Sequence, residues 1–311
     1  MNIVFMGTPE FSLPTLNKIY KSDHNIQLVV TQPDQPKGRG RISTASPVKN
    51  FALENNIPIL QPKKCTSLET IKTLNALNAD VFIVVAYGQI LDNNLLSLPK
   101  YFCINLHSSL LPKYRGAAPI NWAIINGEIE TGVTTIKMNA GLDTGDILLS
   151  SKALISDKDD ARSLHDTLSH IGSSLILDTL SQLGSGSLKG VCQNQELASY
   201  APKLKKEDGL IEWNQPAIKI HNLVRGLTPW PGAFSFLESK RFKILKTEIK
   251  SCDSINQPGS IVRISDHGIE VKTQNNRIVI RELQPEGKKR MDVKSFLAGN
   301  KLIIGSKFIN Q

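Results

Sequence analysis

The first part of the chain alternates short apolar runs with longer amphipathic segments, and this alternation limits the possible folds more than any other feature. The apolar runs cover residues 3–6, 26–31 and 81–86, and each suits one strand buried on both faces. Helical patterns extend to residue 20 and recur around residues 47–55 and 67–77, with a short strand at 58–60. The alternation predicts an α/β protein with a Rossmann-like, doubly wound, mainly parallel sheet.

The first helix is predicted to begin directly after the first strand. Thr8 can cap a helix, Pro9 suits the first helical position, and Glu10 places a negative charge in the first turn. The same turn contains Gly7 but has Pro9 and Ser12 where a dinucleotide-binding GxGxxG motif requires glycine. The spacing therefore disfavours a nicotinamide or flavin dinucleotide.

Asn105 and His107 lie at the end of a further apolar segment. Residues two apart in a strand project from the same face, so the carboxamide and the imidazole are expected side by side. Gly7 and Tyr87 fall at the same edge of the predicted sheet, where open α/β sheets bind their ligands. With a carboxylate to orient the imidazole, this pair suits a reaction in which an oxyanion forms while an amine loses a proton. Acyl transfer to nitrogen is such a reaction; the alternative is two polar residues that only cap a turn.

The segment that follows, residues 107–120, is too apolar for a free loop and contains too many Pro and Gly residues for one helix. A long, constrained loop directly after a strand usually contributes to a binding or catalytic site. This favours the catalytic interpretation of Asn105 and His107.

Length and composition exclude several classes of protein. A chain of 311 residues that is 40% hydrophobic and 21% charged is typical of a globular protein with two domains. The cysteines, Cys65, Cys103, Cys192 and Cys252, are widely separated, which disfavours a disulfide framework or a zinc site. No apolar run approaches the roughly 20 residues that span a bilayer, and no basic leader precedes the first strand, so we expect a cytoplasmic protein.

The last third of the chain has a different pattern. A helical pattern at residues 217–227 precedes several short β-rich runs, which lie at residues 233–237, 241–247, 259–265, 268–273 and 277–283. Closely spaced short strands are typical of a small barrel. We therefore predict a catalytic domain over residues 1–189, a linker over 190–208 and an OB-like β-barrel domain over 209–311.

The net positive charge lies entirely in this last third. Residues 203–311 contain 20 Lys and Arg against 11 Asp and Glu, whereas residues 1–202 have no net charge. Clustered cations displace counterions from phosphate backbones, so a neutral domain joined to a basic one indicates that the basic domain binds a polyanion. A basic surface that is merely solvated is the alternative.

Residues 32–49 form an insertion rich in Pro, Gly and cations, including Lys37, Arg39 and Arg41. This composition predicts no regular secondary structure. Its cations could contact phosphates near the site, although a mobile surface loop explains the composition equally well.

The chain resembles the methionyl-tRNA formyltransferase family over nearly its whole length. The resemblance rests on eight segments, at residues 6–11, 32–40, 85–91, 105–119, 141–146, 200–204, 229–233 and 284–291. Other folate-dependent formyltransferases share the Asn-x-His and later Asp pattern, so this pattern indicates the chemistry but not the acceptor. The tRNA-specific branch is indicated by the insertion, the Lys203 segment and residues 284–291. The resemblance implies transfer of a formyl group from 10-formyltetrahydrofolate to the methionine amino group of initiator methionyl-tRNA.

The resemblance also implies which residues act. Asn105, His107 and Asp143 match the catalytic residues; which of His107 and Asp143 is the base stays open. The implied folate-binding residues are Tyr87, Gly88, Gln89, Ile90, Leu91, Ser108, Leu110, Leu111, Pro112, Asn139, Ala140, Gly141 and Leu142. The implied tRNA-binding residues are Lys37, Arg39, Arg41, Lys203, Lys206, Lys288, Lys289 and Arg290. We expect 10-formyltetrahydrofolate as co-substrate, initiator methionyl-tRNA as partner, no metal, no membrane association and a monomer.

One departure and three alternatives complete the prediction. Ser108 stands where many members of the broader folate family have proline. A related enzyme could formylate another amine, such as a sugar nucleotide, with the same machinery. A noncatalytic RNA-binding protein is the alternative from another class, and the barrel could serve only to pack against the sheet domain.

Overall fold

The computed structural model describes residues 1–37, 42–251 and 255–310. Contacts divide the chain into two compact units. The first unit contains Met1–Gly116, Glu130–Leu154 and His165–Ala201. The second unit contains Ala117–Ile129, Ile155–Leu164 and Pro202–Gln311. The predicted domain boundaries at residues 189 and 208 stay predictions.

The first unit is built on a large mixed sheet. The strands of the first unit, seven of which form this sheet, are β1 (Asn2–Gly7), β2 (Asn25–Val30), β3 (Gln35–Lys37), β4 (Ile42–Thr44), β5 (Ile59–Leu60), β6 (Val81–Val85), β7 (Cys103–His107), β8 (Arg115–Gly116), β9 (Glu130–Lys137), β10 (Ile147–Leu154) and β11 (Tyr200–Ala201). The main sheet has the order β10-β9-β7-β6-β1-β2-β5; β9 pairs antiparallel with both β10 and β7, and the other pairs are parallel. The predicted Rossmann-like, mainly parallel sheet is confirmed.

The central strands are apolar throughout because helices cover both faces of a parallel sheet. Residues 3–6 and 81–85 are almost completely buried, as their unbroken apolar sequence predicts. The helices are α1 (Leu13–Tyr20), α2 (Pro47–Glu54), α3 (Leu68–Asn75), α4 (Asn93–Leu96), α5 (Pro119–Ile125), α6 (Ala161–Gly184), α7 (Ala217–Leu227) and α8 (Val293–Gly299). Ser46 caps α2 and Ser67 caps α3 through their side-chain oxygens.

The predicted start of the first helix is wrong. Helix α1 begins at Leu13, after a short 3-10 turn over Glu10–Ser12, and Thr8 caps neither element. The Thr8 hydroxyl instead donates a 2.9 Å hydrogen bond to the Tyr87 carbonyl. This contact between the ends of β1 and β6 is a tertiary one, which local capping rules cannot predict.

The insertion is more regular than its composition predicts. Strands β3 and β4 pair antiparallel, which corrects the expectation that residues 32–49 contain no regular structure. Backbone pairing needs no particular side chains, and Pro36 occupies an edge of this two-stranded ladder. Arg39, Arg41 and the side chain of Lys37 lie outside the described residues.

The second unit contains an antiparallel sheet. Its strands are β12 (Ala233–Leu237), β13 (Lys240–Lys250), β14 (Ile261–Ser265), β15 (Gly268–Lys272), β16 (Arg277–Pro285) and β17 (Met291–Asp292). They have the order β12-β13-β16-β15-β14, with β17 against β16. The last described residues pair with both edges of this sheet: Ile309 bridges Phe236 in β12, and Lys307 bridges Ser260 directly before β14. This pairing closes the sheet into the predicted barrel, around a core that includes Trp213 and Phe308.

Two absences hold for the part of the chain that the structure describes. None of its helices is long and apolar enough to cross a membrane. Nowhere in residues 1–37, 42–251 and 255–310 do three or more His, Cys, Asp or Glu side chains form a group that could hold a metal ion.

Candidate active site

The predicted catalytic pair lies at the carboxyl end of β7, in the middle of the main sheet. Asn105 pairs with Val84 of β6 on one side and with Ile136 of β9 on the other. His107 is buried and Asn105 is half-buried. The Asn105 carboxamide has no hydrogen-bond partner among the described residues, so both its donor and its acceptor remain available to a bound molecule.

Both ring nitrogens of His107 face a partner. Nε2 lies 2.9 Å from the Tyr114 carbonyl oxygen, and Nδ1 lies 3.6 Å from Asp143 Oδ2. A carbonyl oxygen only accepts hydrogen bonds, so Nε2 donates to it and carries a proton. A second proton on the ring then belongs on Nδ1, beside the carboxylate. The predicted association of His107 with Asp143 is present in the fold.

Asp143 occupies a tight turn between β9 and β10. Its φ of 53° lies in the left-handed region that side chains other than Asn, Asp and Gly rarely adopt. The backbone N–H of Gly116 donates a 2.8 Å hydrogen bond to Asp143 Oδ2. The carboxylate is therefore fixed from both sides, by its own backbone turn and by the loop after β7.

The tripeptide Tyr114-Arg115-Gly116 touches both His107 and Asp143, two of the predicted catalytic side chains. Tyr114 bonds to His107 and Gly116 bonds to Asp143, while Arg115 points into the protein and is 1% exposed. β8 within this tripeptide pairs with β11, and Arg115 N donates to the Ser199 carbonyl at 2.8 Å. A segment some 80 residues downstream thus supports the loop that holds His107 and Asp143.

Two glutamines of that downstream segment bind the buried guanidinium. Arg115 donates to Gln193 Oε1 through Nε at 3.1 Å and Nη2 at 2.6 Å, and to Gln195 Oε1 through Nη1 at 2.8 Å. Gln193 Nε2 in turn donates to the carbonyls of Asp143 and Gly145, both at 2.7 Å. Neither Arg115 nor Gln193 was predicted as a site residue. An arginine in a largely apolar loop, two residues after Lys113, was the only available signal.

The predicted folate-binding segment after β6 combines buried side chains with exposed backbone. Tyr87 and Leu91 belong to the core of the sheet domain, whereas Gly88 is exposed and Ile90 is 84% exposed. Burial raises the pKa of the Tyr87 hydroxyl, which has no hydrogen-bond partner among the described residues. The Gln89 carboxamide accepts from Cys65 N at 2.7 Å and donates to the Pro62 carbonyl at 3.2 Å. The backbone and Ile90 are thus the parts of this segment that remain accessible.

The second predicted folate-binding segment lies directly before Asp143. Asn139, Ala140, Gly141 and Leu142 are all exposed, and Leu142 is 63% exposed. Asn139 Oδ1 accepts from Gly141 N at 3.1 Å and from the Thr144 hydroxyl at 2.8 Å, which fixes the turn. An exposed leucine on a fixed turn offers apolar surface to a ligand.

The loop after His107 is hydrogen-bonded to Thr134 of β9. The Thr134 hydroxyl donates to the Ser109 carbonyl at 2.7 Å and accepts from Leu111 N at 3.2 Å. Leu111 is buried, while the remaining predicted folate-binding residues of this loop are partly exposed: Ser108, Leu110 and Pro112. These contacts tie the loop to the main sheet.

The predicted tRNA-binding cations of the second unit are exposed at the surface. Lys203, Lys206, Lys288 and Lys289 form no ion pair within the described residues. Arg290 differs, because its Nε donates a 2.6 Å hydrogen bond to Glu282 Oε2. The free lysines remain available to phosphates, whereas Arg290 is already paired.

Two further cations lie close to this group and were missed by sequence reasoning. Burial, then the nearby positive charges of Arg241 and Lys206, lowers the pKa of Lys243. The Arg241 guanidinium lies 3.9 Å from the centre of the Phe234 ring, and the Arg241 carbonyl accepts from Glu286 N at 3.0 Å. The turn before Lys288 therefore lies beside Arg241. Only strand pairing reveals this proximity, because the residues are about 45 positions apart in the chain.

Comparisons with known proteins give consistent matches over nearly the whole chain. The formyl transferase family profile matches residues 1–180, and the profile for the formyl transferase C-terminal domain matches residues 203–301. The methionyl-tRNA formyltransferase of Citrifermentans bemidjiense is 51% identical over 302 residues, which cover 97% of this chain and 94% of that protein. The methionyl-tRNA formyltransferase of Geotalea uraniireducens is 50% identical over 306 residues, covering 98% and 97%.

Solved structures show the same fold at lower identity. The sugar 3N-formyl transferase WlaRD matches with a TM-score of 0.66 at 20% identity, over 93% of this chain and 99% of that one. An N-formyltransferase from Helicobacter canadensis matches with a TM-score of 0.67 at 20% identity, over 91% and 98%. At this identity the likeness concerns the fold alone.

Proposed function

Because the chain belongs to the methionyl-tRNA formyltransferase family, we propose that it transfers the formyl group of 10-formyltetrahydrofolate to the methionine amino group of initiator methionyl-tRNA. The product is formylmethionyl-tRNA for translation initiation. The observation that carries this proposal is the grouping of a free Asn105 carboxamide with the His107–Asp143 pair at one sheet edge. The 51% identity to a relative of that name supports the choice of acceptor.

The reaction forms one C–N bond and breaks another. The amine nitrogen attacks the formyl carbon, and the carbonyl oxygen becomes an oxyanion. The Asn105 carboxamide donates a hydrogen bond to this oxygen, and a protonated His107 can donate another through Nδ1, because its Nε2–H already donates to the Tyr114 carbonyl. These donors lower the barrier because charge develops where they already point. The bond between the formyl carbon and N10 of the folate then breaks, N10 gains a proton, and the attacking nitrogen loses one.

The His107–Asp143 pair handles the proton that leaves the amine. Asp143 Oδ2 lies 3.6 Å from His107 Nδ1, and both side chains are largely buried, so water competes little for either group. The proton passes to this pair directly or through one water. Asp143 accepts it when His107 is protonated, and His107 Nδ1 accepts it when the ring is neutral, so the choice of base is left open. Gly116 N keeps Asp143 oriented during the transfer.

The folate site is proposed along two segments that flank the catalytic residues. The segment after β6 offers the exposed backbone of Gly88 and the exposed Ile90 side chain, and the segment before Asp143 offers Leu142. Both segments are fixed by internal hydrogen bonds, of Gln89 and of Asn139, so they would bind the pterin without first becoming ordered.

The tRNA is proposed to bind through phosphate contacts. In the second unit these contacts come from Lys203, Lys206, Lys288 and Lys289, which are exposed and unpaired in the described part of the chain. In the first unit they come from the insertion. Such contacts position the tRNA without reading its sequence. We further propose that the protein is cytoplasmic, monomeric and independent of metal.

A direct assay tests this function. Formyl transfer from 10-formyltetrahydrofolate is measured with initiator methionyl-tRNA, elongator methionyl-tRNA and free methionine, for the wild type, His107→Ala and His170→Ala. His170 is an exposed helix residue outside the site and serves as the matched control. We expect activity confined to the initiator, lost in His107→Ala and kept in His170→Ala. Transfer to a sugar nucleotide or another small amine, with none to tRNA, would overturn the proposal.

A further inference from the structure

We propose that Gln193 is a positioning residue that holds the Asp143 turn in its active geometry, with Arg115 fixing the Gln193 side chain in turn. This inference rests on the proposed function, because Asp143 acts there as a partner of His107. It assigns a role to two buried polar residues that the mechanism itself does not use.

The position of Gln193 makes this role specific. Its Nε2 group donates to two carbonyls of one turn, those of Asp143 and Gly145, both at 2.7 Å. An amide nitrogen has two hydrogens, and both are used here. Asp143 itself has a φ of 53°, in the left-handed region that costs free energy for a residue with a side chain, so an external contact helps to hold it there. Gln193 supplies that support directly at Asp143.

Arg115 determines which way the Gln193 carboxamide faces. Two of its nitrogens, Nε and Nη2, donate to Gln193 Oε1 at 3.1 Å and 2.6 Å. A carboxamide rotated by half a turn would point its nitrogen at the guanidinium, where two donors would face each other. The bidentate contact therefore fixes the Nε2 group toward the carbonyls of Asp143 and Gly145.

The Arg115 guanidinium is a buried positive charge without a carboxylate partner among the described residues. Its side chain is 1% exposed, and its hydrogen-bond partners among the described residues are the carboxamides of Gln193 and Gln195, neither of them a carboxylate. A buried charge without a counter-ion is unfavourable, so an arginine used only for packing would be a poor choice here. The arrangement is explained if a neutral glutamine is required, since glutamate in its place could not donate to the two carbonyls.

The same tripeptide links this support to both catalytic side chains. Tyr114 and Gly116 flank Arg115 and bond to His107 and Asp143. The distance between His107 Nδ1 and Asp143 Oδ2 thus depends on Arg115 through the main chain and on Gln193 through the turn. Misplacement of a reacting group by about 1 Å can cost about 100-fold in rate.

Gln193→Glu is the variant that isolates this role. It has nearly the same volume and gives Arg115 a carboxylate partner, so the fold is retained, but its oxygens face the two carbonyls without a hydrogen to donate. We expect kcat to fall about 100-fold while KM for methionyl-tRNA and for the folate changes by less than about threefold. Gln193→Ala, which removes the donor without adding charge, should lower kcat in the same direction.

Gln27→Glu is the matched control. Gln27 Nε2 also donates to a backbone carbonyl in the first unit, that of Leu77 at 3.0 Å, but far along the chain from the site. The control should keep the wild-type kcat. Equal losses of kcat in Gln27→Glu and Gln193→Glu would overturn the proposal, since the effect would then come from the fold in general.

A double-mutant cycle provides the decisive measurement. If Gln193 acts through Asp143, Gln193→Glu should cost less than about threefold when Asp143 is already Asn, because the residues then act as one unit. A full 100-fold loss in the Asp143→Asn background would overturn the positioning role. Failure of the proposed function would be recognised separately, because the wild type would then not formylate methionyl-tRNA at all.

Discussion

The backbone N–H of Gly116 donates a 2.8 Å hydrogen bond to Asp143 Oδ2, the same oxygen that lies 3.6 Å from His107 Nδ1. One carboxylate oxygen thus faces a main-chain donor and the imidazole together. The main chain of the loop after β7 fixes the carboxylate in a way that no side-chain motif reveals.

Gly116→Ala should weaken this contact. Gly116 has a φ of 116°, and an added Cβ would lie 2.8 Å from the Ala201 carbonyl oxygen. The loop must shift, and the Gly116 N–H then moves away from Asp143. We expect kcat to fall at least about 10-fold and stability to fall by about 1–2 kcal/mol or more. Steady-state kinetics and thermal unfolding measure the two effects.

Gly186→Ala is the control for this prediction. Gly186 also has a positive φ, of 72°, but an added Cβ meets nothing within 4 Å. It should lose stability without losing kcat. A Gly116→Ala enzyme with normal kcat would show that the main-chain contact to Asp143 has no part in catalysis.

Asn105→Ala should lower kcat by about 100- to 1,000-fold, the usual effect of removing one oxyanion donor. KM for methionyl-tRNA should stay close to wild type, because the carboxamide acts mainly in the transition state. Asn94→Ala, at an exposed helix position, is the control. Single-turnover kinetics separates the chemical step from product release, and an unchanged single-turnover rate in Asn105→Ala would contradict this role.

Phe308→Ala should destabilise the barrel by about 3–5 kcal/mol. Phe308 is 2% exposed and contacts the rings of Trp213 and Phe242 at the closure of the sheet. All three tryptophans, Trp122, Trp213 and Trp230, belong to the second unit, so their fluorescence during urea unfolding reports on that unit. Ile303→Ala, at a position 70% exposed, should change stability by less than about 0.5 kcal/mol. Equal effects of the two variants would contradict the closed barrel.

His221 should make the stability of the second unit depend on pH. Burial, then the neighbouring charge of Arg225, lowers the pKa of His221 below its ordinary value of 6.5. As pH falls below 6.5, the unfolded chain binds the proton before the folded chain does, so stability decreases. Above pH 6.5 both states hold a neutral ring and the contribution is fully present.

His221→Gln should reduce this loss, which urea midpoints at pH 7.5 and 5.5 measure. His267→Gln, whose side chain is exposed on a turn of the same unit, should retain the wild-type difference between the two pH values. The explanation fails if the His221 variant loses as much stability on acidification as the wild type.

Lys289→Gln should weaken tRNA binding and reduce the slope of log K against log salt by about 1. Lys289 is exposed and has no ion pair in the described part of the chain, so its charge is free to contact phosphate. Lys301→Gln, an exposed lysine outside residues 284–291, is the control. Titrations at several salt concentrations test both, and identical slopes in the wild type and Lys289→Gln would exclude a phosphate contact.

The sequence alone determined the fold class and the main elements. Unbroken apolar runs separated by helical patterns fix a parallel sheet, because only strands covered on both faces tolerate such runs. The spacing of Asn105 and His107 placed them on one face of a strand, because side chains alternate between the two faces along a strand. The start of α1 and the pairing of β3 with β4 were missed because both depend on backbone contacts rather than on local pattern.

The tertiary structure alone decided how the site is supported. The contacts of Asp143 with Gly116 and Gln193 span 27 and 50 residues, and those of Arg115 with Gln193 and Gln195 span about 80. Local sequence holds no record of such pairs, because a hydrogen bond between distant residues depends on how the chain returns to the sheet. The members of the candidate catalytic group could be named from sequence, whereas the residues that hold them in place could be found only in the folded chain.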